Sequence, residues 1–435
     1  MLTTFTITDP ASRAAAEAHI LRRSDTLAPD ARLQEKLDAV RGIVDAVVTR
    51  GDMAIAEFSA SFDNVPLAPA QFELHKEEID AAMATVDPQL VAILQRAYDN
   101  IHRFHSQHLR ESWEETFDDG TILGQRITPI DTAGVYVPGG KAFYPSSVLM
   151  NIAPARVAGV REIVMVSPPS FNGSIHPVVL AAARIAGATR VFRVGGAQAI
   201  AALAYGTETI PRVEKITGPG NTYVTAAKAL VRSVVDIDSE AGPSEVTVLA
   251  DATANPAFVA AELLAQAEHD EEASCVLITT SEALAEAVQA VLAVEITRLP
   301  RRSIIERSLR DNGAIFVTQT MEEAVRLTNL IAPEHLSIQT VNPRETAAEI
   351  KNAGAMMLGA MTPVAVGDYF AGPNHILPTN RRARFSSPLT AEDFRKVTSI
   401  LYYSQERLQR DAQDIMTLAN TEELQAHARS IEVRL

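Results

Sequence analysis

The sequence predicts an α/β protein built of two Rossmann-like, doubly wound domains with mostly parallel sheets, followed by a small helical C-terminal tail. Three observations predict it. The chain has 435 residues, beyond the size at which one hydrophobic core usually stops growing. Between about Gly134 and Gly367, short β-branched runs alternate with alanine-rich helical stretches, which is the pattern of parallel strands covered by helices. The runs fall into two groups of three, which suggests a duplicated unit.

Along the chain, residues 1–30 read as an amino-terminal arm. Leu33, Leu37, Val40, Val44 and Val47 then recur at spacings of four, three, four and three, so one helix face packs inward. The first strand group is Glu162-Ile163-Val164-Met165-Val166, Arg190-Val191-Phe192-Arg193-Val194 and Val213-Glu214-Lys215-Ile216-Thr217. The second is Val246-Thr247-Val248-Leu249, Cys275-Val276-Leu277-Ile278 and Ala314-Ile315-Phe316-Val317. No linker rich in Gly and Ser parts the groups, so the boundary falls in a tight turn, placed at Gly242-Pro243. This reading assigns residues 31–135 and 244–389 to a discontinuous first domain carrying catalytic and metal residues, and 136–243 to a second, dinucleotide-binding domain. From residue 390, the stretches Asp393 to Val397, Glu406 to Met416 and Glu422 to Val433 read as helices too short for a core of their own. They dock elsewhere, on this chain or across a partner subunit.

Composition narrows the function. Hydrophobic residues at 47% and charged ones at 21% exclude wholesale disorder. With 54 acidic and 39 basic side chains the net charge is -15, which disfavours nucleic acid and anionic membranes as partners. No segment is long and uncharged enough to cross a bilayer. The single cysteine, Cys275, lies in an apolar run and cannot pair within the chain, which suits a reducing compartment. The start, Met1-Leu2-Thr3-Thr4-Phe5, lacks a basic region followed by an apolar stretch, so a cytoplasmic location is expected.

Several residues bear chemistry. No G-x-G-x-x-G is present, and Val137-Pro138-Gly139-Gly140-Lys141-Ala142 lacks the leading glycine and trailing hydroxyl of a phosphate loop. Gly195-Gly196-Ala197-Gln198 and Gly218-Pro219-Gly220-Asn221 each join a strand to a helix, and either offers free N–H groups to an anion or serves only as a tight turn. Gln266 and His269 are three apart, so they share a helix face behind the cap Asn255-Pro256. With Asp368 and His427 they supply the oxygen and nitrogen donors that zinc accepts, although spacing does not unite them. Glu334 and His335 are consecutive at a helix-to-strand passage, where neighbouring side chains point opposite ways and could serve two different protons. His375 sits in a loop of turn residues and adds a polar candidate. Each of these also has a plainer use as a cap or surface group. His102, His105 and His108 precess around a helix and read as a solvated face, and Trp113 has no aromatic companions for base stacking.

Together the segments resemble the histidinol dehydrogenase family, from about residue 30 to the carboxyl terminus. The resemblance rests on nine ordered blocks. They are Gly134-Val135-Tyr136-Val137-Pro138-Gly139-Gly140, Tyr144 to Asn151, Gly195 to Leu203, Gly218-Pro219-Gly220-Asn221, Ala241-Gly242-Pro243-Ser244-Glu245-Val246, Gln266-Ala267-Glu268-His269, Ala332-Pro333-Glu334-His335-Leu336, Gly372 to Thr379 and Ala426-His427. The resemblance implies oxidation of L-histidinol to L-histidine by two NAD molecules in turn, through an aldehyde that stays bound. It implies one zinc ion on Gln266, His269, Asp368 and His427, and a dinucleotide held by Tyr136, Gln198 and Asn221. Ser244, His375 and Glu422 fall on substrate positions, alongside the zinc ligands and His335. His335 matches the proton acceptor and Glu334 its acidic partner. The family is a homodimer whose tail completes the neighbouring site.

The departures are Thr379-Asn380-Arg381-Arg382, where the family shows small residues and glycine, Glu422-Glu423-Leu424 in place of Glu-Gly-Leu, and the lead Asp236-Ile237-Asp238-Ser239-Glu240. Rival readings are a paralogue oxidising another polyol or hydroxy acid, a zinc hydrolase using Glu334 as base, and a non-catalytic binding module.

Overall fold

The computed structural model describes residues 2–21, 31–107, 109–139, 143–239 and 242–435, with the side chains of 31–33 excepted. His108, residues 22–30 of the arm, 140–142 of the loop at 137–142, residues 240–241 and the Leu33 side chain lie outside the described residues.

Among the described residues the strands make two six-stranded sheets and one three-stranded sheet. Continuous apolar runs such as Glu162–Val166 and Ala314–Val317 are buried on both faces, as parallel strands between helix layers must be. In the first sheet the order is Glu73–Leu74, Arg190–Phe192, Glu162–Val166, Thr132–Tyr136, Lys215–Thr217 and Asp236–Ile237. All pairings are parallel except that of the two-residue edge strand Glu73–Leu74. The second sheet runs Thr3–Thr6, Ala314–Val317, Ser274–Thr279, Glu245–Ala250, His335–Gln339 and Ala355–Leu358, parallel throughout. Leaving out the extra edge strand of each, both sheets order their strands third, second, first, fourth, fifth. This shared winding agrees with a duplicated unit, and it sets a topological switch point beside the first strand of each sheet.

Domain membership differs from the sequence reading in two places. The helices Ala31–Arg50 and Asp52–Phe62 pack on the first sheet, not the second: Val40, Val44, Val47 and Ile55 join Phe192, Ile200 and Val224 in one core. Lys76–Ala84 and Pro88–His105 cover the opposite face with Pro145–Ala158 and Pro177–Ala186. A parallel sheet needs both faces covered, and its own crossover helices leave room for these four. The second difference is the arm. Thr3–Thr6 pairs with Ala314–Val317 and Pro10–Leu21 packs beside Met321–Ile331, so residues 2–21 are an integral edge of the second sheet.

The tail differs as well. Asp393 to Val397 is not a helix. A short 3-10 turn, Ala391–Phe394, leads into the eight-residue strand Arg395–Tyr402, which pairs antiparallel with Ile122–Pro129 beside Trp113–Thr116. The helices Gln405–Thr421 and Gln425–Glu432 follow and pack chiefly on each other. His105 also departs from the solvated reading: it is buried while His102 is exposed. Cys275 is a buried thiol whose Sγ donates to the Leu263 carbonyl at 3.3 Å. No helix among the described residues is long and apolar enough to cross a membrane.

Candidate active site

Glu334 and His335 stand at the start of the strand His335–Gln339, immediately after the helix Met321–Ile331 and a left-handed Ala332. An extended dipeptide should send the two side chains apart, yet the Glu334 Oε2 lies 3.5 Å from His335 Nδ1. Both turn to the main chain of Glu245 on the adjacent strand: the Glu245 N–H donates to Glu334 Oε2 at 2.7 Å, and His335 Nδ1 faces the Glu245 carbonyl at 3.2 Å. That carbonyl only accepts, so it fixes the proton on Nδ1 and leaves Nε2 as the working nitrogen. Nε2 lies 3.3 Å from Asp368 Oδ1 but off the line of a hydrogen bond, and it is buried without a partner. Burial pushes the His335 ring towards neutrality. The Glu334 and Asp368 carboxylates outweigh that, so its pKa is raised well above 6.5.

Asp368 is carried by the short helix Val364–Tyr369. The N–H of Val364 donates to Glu262 Oε2 at 3.0 Å, which ties this helix to Pro256–Ala267, where Gln266 is buried in the last turn. His269 follows in the next turn and is exposed; its charge and that of His375 both bear on Asp368. Burial raises the Asp368 carboxyl, and the adjoining His335 more than offsets it, so the pKa falls below the ordinary value. His375 Nδ1 faces the Asp368 carbonyl at 2.9 Å and its Nε2 faces Ser147 Oγ at 3.4 Å, with the ring's pKa lowered by burial. Ser147 belongs to a helix of the first sheet's unit, and Asn374 Nδ2 reaches Met150 O at 2.7 Å, so the loop at 372–378 bridges the two units.

Gln266, His269 and Asp368 offer the oxygen and nitrogen donors that suit zinc. They are incomplete alone: among the described residues no group of three His, Cys, Asp or Glu side chains could hold a metal. His427 and Glu422 are exposed on the tail, and no hydrogen bond joins them to this cluster. Ser244 is half-buried next to Glu245, and its carbonyl accepts from Ser274 N at 2.9 Å.

The residues expected to hold a dinucleotide collect at the carboxyl ends of the first sheet, beside its switch point. Tyr136 ends the first strand; burial pushes its phenol up to about 12, and its oxygen accepts the Gly196 N–H at 3.2 Å. Asn221 caps the helix Thr222–Val231, accepting from Tyr223 and Val224 at 3.0 and 3.1 Å. Gln198 lies in the first turn of Gly196–Tyr205. Three buried oxygens here lack a partner: Gln198 Oε1, Thr217 Oγ1 at the end of the fourth strand, and Asp63 Oδ2, whose charge bears on Tyr136. Orphaned acceptors of this kind fit the hydroxyl donors of a nucleotide's ribose.

A family model described as histidinol dehydrogenase matches residues 28–435. The chain is similar to the histidinol dehydrogenase of Bacillus subtilis (strain 168), 52% identical over 405 residues, spanning 93% of this chain and 94% of the relative. It is also similar to that of Geobacter sulfurreducens, 49% identical over 403 residues, with 92% and 94% covered. The chain belongs to the histidinol dehydrogenase family. The crystal structure of the family's enzyme from Elizabethkingia anophelis matches with a TM-score of 0.92 at 34% identity, covering 100% of this chain and 98% of that one. The protein is thus an oxidoreductase of histidine biosynthesis acting on a CH–OH group. Family membership sets aside the hydrolase and binding-module readings.

Three groups in the site escaped the sequence reading. Ser147 and Glu245 were inside quoted blocks but gave no signal of their own, since neither type nor spacing marks a residue that acts through its main chain or a single long contact. Glu262 precedes Gln266 by one helical turn, and that i, i+4 spacing could have shown it facing the same way.

Proposed function

We propose that this protein oxidises L-histidinol to L-histidine in two NAD-dependent steps, retaining the aldehyde between them, with one zinc ion per subunit and active sites shared across a homodimer. The observation that carries the reading is the convergence of Glu334 and His335 on the Glu245 main chain, flanked by Asp368 and His375. In the first step His335, once its own proton has passed to solvent, takes the hydroxyl proton at Nε2 as the carbinol C–H leaves as hydride. Glu334 then takes a proton from water as the water oxygen bonds to the aldehyde carbon, while His335 returns its proton to the carbonyl oxygen, which gives the hydrate. Loss of a second hydride, with a proton again to His335, gives the carboxylic acid. When bound, the nicotinamide accepts each hydride, and zinc holds the substrate's amino and imidazole nitrogens as a Lewis acid without redox change.

Gln266, His269 and Asp368 would hold the metal together with His427 of a neighbouring subunit. Tyr136, Gln198 and Asn221 would hold the dinucleotide, and Ser244, His375 and Glu422 the substrate. The support for a shared site is that the charge of His269 bears on Asp368, while His427 and Glu422 sit exposed on helices that pack chiefly on each other. The cytoplasm is the proposed location, since a reducing compartment suits a single buried cysteine, Cys275.

Subunit mixing tests this reading. His335→Asn and His427→Ala homodimers are each expected to form almost no NADH from L-histidinol, and refolding them together is expected to restore activity in mixed dimers, which keep one intact site. No recovery from verified mixed dimers would show that the tail serves its own subunit.

A further inference from the structure

A buried ion pair that the proposed chemistry does not use grips the loop from Gly218 to Asn221. Lys228 and Asp238 are paired, with side chains 2% and 4% exposed. Taking two charges out of water costs about as much as their attraction returns, so apolar residues of similar size would serve a core equally well. What apolar residues could not supply is the hold on Gly218. Its N–H donates to Asp238 Oδ2 at 2.7 Å, and its carbonyl accepts from Lys228 Nζ at 3.0 Å. The Ser239 N–H donates to Asp238 Oδ1 at 2.6 Å, which fixes the carboxylate itself.

Gly218 needs that hold because it lies past the end of both ladders. The strand Lys215–Thr217 pairs with Thr132–Tyr136 as far as Thr217, and with Asp236–Ile237 as far as Ile216. Among the described residues neither polar group of Gly218 meets a main-chain partner. Its φ is +114°, and a Cβ there would overlap the Tyr136 carbonyl oxygen, so the turn is pressed against the end of the first strand. The two halves of the grip come from different elements. Lys228 stands in the last turn of Thr222–Val231, whose side chains lean back towards its start. Asp238 follows the edge strand Asp236–Ile237, with its own N–H on the Ile216 carbonyl at 3.2 Å. The pair thus joins the loop to the helix after it and to the strand beside it. Asn221, three residues on, caps that same helix.

We propose that Lys228 and Asp238 are positioning residues for the dinucleotide: by holding both polar groups of Gly218 they set where the loop presents Asn221. The inference rests on the reading of Tyr136, Gln198 and Asn221 as the dinucleotide's seat. Without the pair, the carbonyl and N–H of Gly218 are buried with no partner, and the loop turns to bring them to water. Asn221 moves with it, whereas Gln266, His269, Asp368, Glu334 and His335 belong to the other sheet's unit and stay in place. The consequence is a loss of dinucleotide affinity that leaves the binding of L-histidinol intact.

Removing Lys228 alone would strand the carboxylate, so the pair is replaced together. Lys228→Met combined with Asp238→Leu is expected to fold and to weaken NADH binding by about tenfold, the worth of a misplaced hydrogen bond, in a fluorescence titration. KM for L-histidinol at saturating NAD is expected to hold within about twofold. Asp238→Asn, isosteric, leaves one oxygen, which the Lys228 cation keeps, and so releases the Gly218 N–H. It is expected to weaken NADH binding in the same sense by a smaller factor, and it decides the matter if the double variant does not fold. Wild-type affinity for NADH in the double variant, or in Asp238→Asn where that alone folds, would overturn the proposal. So would an equal change in KM for L-histidinol, or an effect confined to thermal stability. Failure of the wild-type protein to bind NADH would instead strike the reading of the dinucleotide site.

Discussion

Adding one methyl group at Gly218 tests whether the carboxyl ends of the first sheet are the dinucleotide's seat. Gly218 has φ +114°, and a Cβ there would overlap the Tyr136 carbonyl oxygen and lie 3.0 Å from its carbon and 3.2 Å from its nitrogen. All three are main-chain atoms, so no side chain can swing away. Relaxed carbon contacts begin near 3.5 Å, so the ends of the first and fourth strands must part by about 1 Å. Gly218 N–H also donates to Asp238 Oδ2 at 2.7 Å and its carbonyl accepts from Lys228 Nζ at 3.0 Å, so the shift strains a buried ion pair as well. An unfavourable φ costs about 1–2 kcal/mol and overpacking about 1–3 kcal/mol, so Gly218→Ala should lose about 2–5 kcal/mol and remain folded. The displaced strand ends carry Tyr136 and lead into Asn221, and NADH affinity should fall by at least about tenfold. Gly120→Ala is the control: φ is +81° there and nothing lies within 4 Å of the added methyl, so only the φ penalty applies. Thermal unfolding and a fluorescence titration with NADH read both effects. Equal behaviour of the two variants would refute the reasoning.

Further expectations concern charge. Glu334→Gln should keep the first oxidation and slow the aldehyde step by about a hundred- to ten-thousandfold, the usual worth of a general base; single-turnover measurements with alcohol and aldehyde separate the two, and equal slowing would speak against the assigned role. Lys228 and Asp238 are a buried ion pair, each almost wholly shielded. Lys228→Met should cost about 3–5 kcal/mol in urea unfolding, because it strands the carboxylate, and a cost near zero would contradict that. His105 has its pKa pushed by burial down to about 4, with His102 adding a smaller push, and its Nε2 has no partner. The fold binds fewer protons there than the unfolded chain, so His105's contribution is intact above pH 6.5 and is lost as pH falls towards 4, by up to about 3 kcal/mol. His105→Leu should flatten that part of the stability profile, and an unchanged profile would exclude His105 as its source.

What the sequence disclosed follows from how local each signal is. The strands Glu162–Val166, Ser274–Thr279 and Ala314–Val317 were legible because burial on both faces writes an unbroken apolar run. Asn255 was legible as a cap, and its side chain accepts the Ala257 N–H at 2.9 Å. Arg395–Tyr402 was not, since its partner Ile122–Pro129 lies far upstream and most of its residues are exposed, so neither periodicity nor burial marks a strand. The apolar stripe from Leu37 to Val47 announced a buried helix face but could not say which sheet it would meet. His105 read as solvated because the helix Pro88–His105 presents its last turn to a neighbour that spacing cannot reveal. In the site, the residue types of Glu334 and His335 were legible, while their convergence was not, because Glu245 brings it about through its main chain.

The account's central claim is a double oxidation at one site, and the most direct test is to count NADH formed per L-histidinol consumed by zinc-loaded protein, with a chelated sample alongside. The account predicts two NADH for each L-histidinol, no free aldehyde, and loss of both on chelation with recovery on adding zinc. One NADH with released aldehyde, or undiminished turnover after the metal is removed, would contradict it.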